Sequence, residues 1–183
     1  MPPYEILSAI TKEPREISPA RKSKKKEIQE KYHNALAETD PNRKGDQLEE
    51  VVKDLIFLVD GLEVVGSNVD NGIQEIDVQV RNRNEENVWE TVFDPMVFIE
   101  CKNWSNSVKS KDVRDFEGKL RNSGLRAGIL VSVNGLSGNG LQGAWGAVKE
   151  ALQGGHKIIV LDGKDLEEIF ACRDFSQKIG PVQ

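Results

Sequence analysis

The feature that most constrains the fold is a change in the spacing of apolar residues along the chain. Residues 46–61 repeat apolar side chains at a helical spacing, whereas residues 73–82 alternate apolar and polar side chains as a half-buried strand does. Residues 96–102 then form an apolar run that ends in Glu100 and Lys102. Two strands with no helix between them pair most simply as antiparallel neighbours. Part of the sheet is therefore expected to be antiparallel.

The rest of the core has a different pattern. After the strand pair, the predicted elements are a helix at 110–124, a strand at 126–135, a helix at 140–155, a strand at 156–163 and a helix at 164–172. Strands joined through helices run parallel, so the chain predicts an α/β fold with a mixed central β-sheet flanked by helices. A short strand is also expected at 62–68, before a turn, and more strand-like sequence at 88–93. Trp145 is expected in the core.

The N-terminal part has another composition. Residues 1–20 hold four prolines and little periodicity, which indicates an arm, and residues 21–39 predict a helix with a basic cluster. Such a cluster is either a solvated helix end or a patch that contacts phosphates. The predicted division is an N-terminal arm and basic helix over 1–43, a core domain over 44–172 and a C-terminal tail over 173–183.

Composition bounds the compartment and the partners. A chain of 183 residues, 38% hydrophobic and 30% charged, can bury one core and is not a disordered composition. The net charge of -5 gives no global basic field for coating nucleic acid, so DNA contact would need a local patch. The two cysteines lack metal or disulfide spacing, and no apolar run is long enough to cross a bilayer. We expect a reduced, cytoplasmic protein with no membrane partner.

Alternation along the two strands brings acids together. It puts Glu100 and Lys102 on one face of their strand, and it puts Asp77 opposite the apolar face expected between Ile76 and Val80. If the strands pair, Asp77 and Glu100 lie close enough to share a cation, and oxygen ligands of this kind suit Mg²⁺. The alternative is a surface acid and a surface ion pair of little energetic value.

The preceding helix offers a third acid. Glu49 falls on the flank of the apolar face, beside Val52 and Ile56, and can lean over the sheet. Glu50 points to the opposite side and is expected to be an ordinary surface residue. Cys101 faces away from the proposed site and is expected to be a small buried residue.

This set of residues resembles the restriction-endonuclease-like PD-(D/E)xK nucleases, and among them the Mrr-type branch of type IV restriction enzymes. The residues that carry the resemblance are Gly45, Leu48, Glu49, Ile76, Asp77, Glu100, Lys102 and Trp104. The resemblance covers about residues 45–161. The proline usually written before the aspartate is absent, with Glu75 and Ile76 at that place.

The resemblance implies phosphodiester hydrolysis with Mg²⁺, for which Mn²⁺ would substitute. Asp77 and Glu100 would bind the metal, and Glu49 would hold a second metal or a coordinated water. Lys102 would position the attacking water and stabilise charge on the phosphate. Double-strand cleavage in this superfamily usually takes two active sites, which implies a homodimer or higher homo-oligomer.

The expected substrate is DNA, held by its phosphate backbone. The candidate phosphate contacts are Lys24, Lys25, Lys26, Arg81, Arg83, Lys109, Lys111 and Arg114. No base-reading module is recognisable, so recognition would come from another domain or from a partner protein that the N-terminal region could dock. We expect a DNA endonuclease in restriction or anti-phage defence. The alternatives are a nuclease for RNA or branched DNA such as Holliday junctions, and a non-catalytic nuclease-fold binding or assembly module.

Overall fold

The computed structural model describes residues 19–70, 74–83, 92–103, 105–138 and 143–171. The helices are α1 (Pro19–Ala37), α2 (Pro41–Phe57), α3 (Ser110–Asn122), α4 (Ala144–Gln153) and α5 (Gly163–Ala171). The strands are β1 (Leu62–Asp70), β2 (Glu75–Asn82), β3 (Met96–Lys102), β4 (Ala127–Ser132) and β5 (Lys157–Asp162). The predicted arm before Pro19, the predicted tail and Trp104 lie outside the described residues.

The five strands form one sheet in the order β1-β2-β3-β4-β5. β1, β2 and β3 pair antiparallel, and β3, β4 and β5 pair parallel. The parallel strands are linked through α3 and α4, as crossover connections require. The predicted α/β fold with a mixed central sheet is confirmed.

Helices cover both faces of the sheet. On one face, α1, α2 and α5 bury a cluster that includes Ile28, Tyr32, Leu48, Val52, Leu166, Val78, Ile99 and Val131. On the other face, α3 and α4 bury a second cluster that includes Val113, Phe116, Leu120, Ala147, Phe98 and Leu130. β3 and β4 are therefore enclosed by apolar residues on both sides, which explains their almost continuous hydrophobic sequences.

α2 begins earlier than its apolar pattern predicts. The Asp40 carboxylate accepts hydrogen bonds from the backbone N–H groups of Asn42 and Arg43, both at 3.0 Å, and Pro41 takes the first helical position. An aspartate cap followed by proline is a favourable helix start, so the helix begins at Pro41 rather than at residue 46. The helix also ends at Phe57 rather than near Gly61.

β1 is longer than predicted. It continues to Asp70, through the turn expected after residue 68, and it carries a bulge between Val64 and Gly66. Asn68 adopts a positive φ of 50°, which asparagine tolerates better than most residues. Of the expected strand-like segment 88–93, only Val92 and Phe93 are described; they are buried and belong to none of the five strands.

The expectation for Trp145 is wrong, because 48% of this residue is exposed. The buried face of α4 consists of small residues, including Ala144, Ala147 and Ala151. Small side chains let a helix lie close to its neighbours and leave no room beneath it for an indole ring. The tryptophan therefore stays at the surface of α4.

Candidate active site

The candidate site lies where β2 and β3 stop pairing. The last pair on this side is Val78 with Ile99, and continuing the register would set Ile76 opposite Cys101. Instead, the Cys101 N–H donates to Oδ2 of Asp77 at 2.7 Å. Ile76 packs in the α3 cluster and Val78 in the α2 cluster, so the apolar face expected to run from Ile76 to Val80 is wrong. The side-chain bond to Cys101 replaces the regular ladder at this point.

Glu100 is buried, with only 6% of its side chain exposed, and two lysines hold it. The ammonium of Lys102 lies 2.7 Å from Oε1, and the ammonium of Lys119 lies 2.6 Å from Oε2. Each lysine side chain is 19% exposed. A buried carboxylate is tolerated when charged donors match its oxygens, which is the situation here.

Lys119 was not identified from the sequence. It lies in the last turn of α3, three residues after buried Phe116 and next to buried Leu120. This position is the flank of the apolar stripe, the same relation that singles out Glu49 on α2. That spacing is the signal that could have found Lys119, but it needs the additional knowledge that α3 packs on the face of β3 that carries Glu100.

Glu49 lies close enough to Asp77 for the two carboxylates to repel each other. Partial burial and the charge of Asp77 raise the pKa of Glu49 from 4.5 to about 7, against a hydrogen bond from the Asn68 side chain. Asn68, on β1, was not singled out from the sequence. Glu50 is exposed and paired with Lys53, as expected for a surface residue.

The pKa values of Asp77 and Lys102 are also shifted. Burial, followed by the charge of Glu100, raises the pKa of Asp77, while the Cys101 amide and the nearby lysines oppose the increase. Burial lowers the pKa of Lys102, but the attraction of Glu100 and then Asp77 outweighs it, so the net pKa is raised. The raised pKa keeps Lys102 an ammonium in the structure. Burial also raises the pKa of the Cys101 thiol, consistent with an inert buried cysteine.

The donor set is compatible with a divalent cation. Among the described residues, no three His, Cys, Asp or Glu side chains are gathered closely enough to hold a metal by themselves. Mg²⁺ does not need three protein ligands, because it commonly takes one or two carboxylates and completes its coordination shell with water and phosphate oxygens. The mutual repulsion of Asp77 and Glu100, which raises the pKa of Asp77, is what a cation between them would relieve.

The predicted phosphate contacts are mostly engaged with acids of the same chain. The ion pairs are Lys24 with Glu27 and Asp54, Lys26 with Glu30, Arg81 and Arg83 with Glu63, Lys111 with Asp115, and Arg114 with Glu150. Lys25 lies on α1, and Lys109 directly precedes α3. Exposed pairs of this kind are weak and exchange readily for a phosphate.

These basic residues lie at different ends of the sheet. Arg81 pairs with Met96 at the start of β3, about 13 Å along β2 from Asp77. The first turn of α3 is closer to the candidate site, since the charge of Asp112 acts on Lys102. The structure therefore separates Arg81 and Arg83 from Asp77 and brings Lys109 and Lys111 to the neighbourhood of Lys102.

The architecture defines the class of this protein, a restriction-endonuclease-like α/β core. Residues 42–170 match the Mrr_cat family model, described as a restriction endonuclease, and this match covers most of the chain. The chain therefore belongs to the Mrr_cat restriction endonuclease family, which confirms the resemblance drawn from the sequence. Neither the curated proteins nor the solved structures contain a significant match. No helix of the described residues has the length and apolar character needed to span a membrane.

Proposed function

We propose that this protein is a Mg²⁺-dependent endonuclease that hydrolyses DNA phosphodiester bonds in the cytoplasm, as an effector of restriction or anti-phage defence. The observation that carries the proposal is the convergence of Asp77, Glu100 and Lys102 where β2 and β3 separate. The family match supports nuclease chemistry on this fold.

Each acid has a role that follows from its surroundings. Asp77 and Glu100 would hold the Mg²⁺ ion, with Mn²⁺ as a substitute, and Glu49 would supply a further oxygen or hold a second ion. The bound ion would neutralise phosphate charge and lower the pKa of water. The Cys101 amide fixes one oxygen of Asp77, so this carboxylate is oriented before any ligand arrives.

Lys102 acts on the phosphate rather than as a base. Its attraction to Glu100 and Asp77 raises its pKa, so it carries a proton at neutral pH. With Asp77 and Glu100 holding the cation, the ammonium of Lys102 would donate to a phosphate oxygen or orient the attacking water. Such a donor stabilises the charge that develops in the transition state.

Cleavage of supercoiled plasmid tests the proposal. The wild-type protein should cut with Mg²⁺ or Mn²⁺ and not with chelator. Asp77→Asn and Lys102→Met should lower the rate on the order of 10³-fold. Glu49→Gln should reduce it, whereas Glu50→Gln, which alters an exposed acid on the same helix, should not. Cutting that persists in Asp77→Asn would overturn the assignment.

A panel of duplex DNA, Holliday junctions and RNA would identify the preferred substrate.

One observation favours a second candidate, a non-catalytic binding or assembly module. Both oxygens of Glu100 are matched by lysines, so the site is charge-balanced without a cation. Calorimetric titration separates the two candidates, because the module would bind neither Mg²⁺ nor Mn²⁺ and the nuclease would bind at least one of them.

The proposed assembly follows from the chemistry. One site cuts one strand, so double-strand cleavage calls for a homodimer or higher homo-oligomer, and sedimentation of the full chain would measure its mass.

We also propose that the N-terminal region, residues 1–43, docks a regulatory or recognition partner. Deleting residues 1–18 should then abolish partner-dependent cutting while basal cutting remains.

A further inference from the structure

Lys119 has no role in the proposed hydrolysis, yet it makes one of the shortest ion pairs in the described residues. Its ammonium lies 2.6 Å from Oε2 of Glu100, and the two side chains are only 19% and 6% exposed. The backbone carbonyl of Lys119 also accepts a hydrogen bond from the Gln74 side chain at 3.3 Å, immediately before β2. Lys119 therefore connects the last turn of α3 to the region where β2 and β3 stop pairing.

Glu100 cannot satisfy all its possible partners at once. Lys102 takes one carboxylate oxygen and Lys119 takes the other. A divalent cation bound to Glu100 would need at least one of these oxygens. It would also lie within a few ångströms of both ammonium groups, where charges of the same sign repel strongly at low solvent exposure.

We propose that Lys119 is a positioning residue that serves as the internal counter-cation of Glu100 and competes with the divalent ion for this carboxylate. This inference rests on the proposed metal-dependent function. Without metal, Lys119 keeps the buried carboxylate neutralised and in place. When the ion binds, Lys119 must leave Oε2, so metal affinity is lower than the acids alone would give.

The competition links metal binding to substrate binding. A phosphate at the site offers the displaced ammonium a new partner, so the ion binds more tightly when nucleic acid is present. The arrangement would limit metal occupancy in the free protein and increase it once a phosphate backbone has docked.

Calorimetric titration of the full chain with Mn²⁺ tests this, together with the melting temperature in chelator. Lys119→Met should bind Mn²⁺ about tenfold more tightly than wild type and melt at a lower temperature in chelator. Lys119→Arg keeps the charge and should resemble wild type in both. Arg121→Met removes a positive charge from the same end of α3, where Arg121 is 63% exposed and pairs with Glu117, and should leave the Mn²⁺ affinity unchanged.

The outcomes are distinguishable from failure of the proposed function. Unchanged or weaker Mn²⁺ affinity in folded Lys119→Met overturns the competition and leaves the metal site standing. A similar gain in Arg121→Met also overturns it, because the effect would then reflect general charge. If wild type and Lys119→Met both fail to bind Mn²⁺, the metal site itself is wrong and this inference falls with it.

Discussion

At the scale of single residues, the site contrasts two carboxylates with opposite surroundings. Glu100 is matched by two ammonium groups, whereas Asp77 lies beside other acids and has a raised pKa. A buried charge that loses its partner is costly, and a carboxylate in a repulsive setting is costly while it is ionised. The two acids should therefore differ in what they contribute to stability.

We expect Glu100→Gln to lower the free energy of unfolding by about 2–4 kcal/mol in chelator, because it leaves two partly buried lysines without their anion. Asp77→Asn should leave the free energy of unfolding unchanged or raise it, since the amide oxygen can still accept from Cys101 and the repulsion is gone. Urea unfolding at pH 8 measures both variants. Equal losses in the two would contradict this account of the site.

Glu49 makes stability depend on pH. Its pKa is raised to about 7 in the folded protein, so between pH 4.5 and 7 the folded state binds more protons than the unfolded state. Stability is therefore lost as the pH rises through this window. Glu49→Gln removes that loss and should be more stable than wild type at pH 8, on the order of 1 kcal/mol after allowance for partial solvent exposure.

Thermal unfolding from pH 5 to pH 8 provides the measurement for Glu49. The difference in melting temperature between Glu49→Gln and wild type should grow with pH and reach about 2–4 °C at pH 8. Glu50→Gln, on the exposed side of α2, serves as the control and should show no such trend. If the difference in melting temperature between Glu49→Gln and wild type stays constant from pH 5 to pH 8, Glu49 is not the source of the pH dependence.

At the scale of elements, α3 is placed by a close approach to β4. A Cβ added to Gly128 would lie 2.7 Å from both Leu120 and Phe116. Gly128→Ala should therefore push α3 away from the sheet and lower the free energy of unfolding by about 1–3 kcal/mol. Gly45→Ala is the matched control. It adds a Cβ in open space within α2 and should raise stability by about 0.5–1 kcal/mol in the same urea titration.

Asn103 ties α1 and α2 to the end of β3. Its side-chain amide donates to the backbone carbonyls of Ala35 at 3.1 Å and Lys44 at 2.9 Å. Asn103→Ala leaves a buried carbonyl and a partly buried carbonyl without this donor and should lower the free energy of unfolding by about 2–3 kcal/mol. Asn106→Ala, in the exposed loop that follows, should cost less than about 0.5 kcal/mol. Equal melting temperatures for the two variants would show that the tie is unimportant.

The elements were predicted better than their ends. Periodicity identified β2, β3, β4 and β5 because their apolar patterns are decided by burial on one or both faces. The start of α2 was missed because the first turn is set by the Asp40 cap and Pro41 and not by apolar spacing, which begins only at residue 46. Trp145 was misplaced because periodicity cannot tell how closely a helix packs on its neighbours.

The residues of the candidate site also differ in whether local sequence patterns predict them. Asp77, Glu100 and Lys102 follow from two strands that pair, so local patterns bring them together. Lys119 and Asn68 depend on where a helix crosses the sheet and where an edge strand continues, which no local pattern specifies. Residues that reach the site only through tertiary packing are therefore not predictable from local sequence patterns.

At the scale of the whole molecule, nucleic-acid binding must overcome a net charge of -5 with a local patch. The start of α3 lies on the side of Lys102, whereas Arg81 is about 13 Å away along β2. In an Asp77→Asn background, Lys111→Ser and Arg114→Ser should each weaken duplex binding and reduce the salt slope by about one. Arg81→Ser should do neither. Fluorescence anisotropy from 50 to 200 mM salt, roughly, provides the measurement.

The packing of α1 has a practical consequence for the boundaries of an expressed fragment. The family match begins at residue 42, yet Ile28, Tyr32 and Ala35 are buried, and two of them belong to the core cluster shared with β2 and β3. A recombinant fragment that begins at residue 42 would lack α1, expose the apolar residues of α2 and α5 that α1 covers, and tend to aggregate. The shortest fragment expected to behave as a well-folded sample therefore begins no later than Pro19.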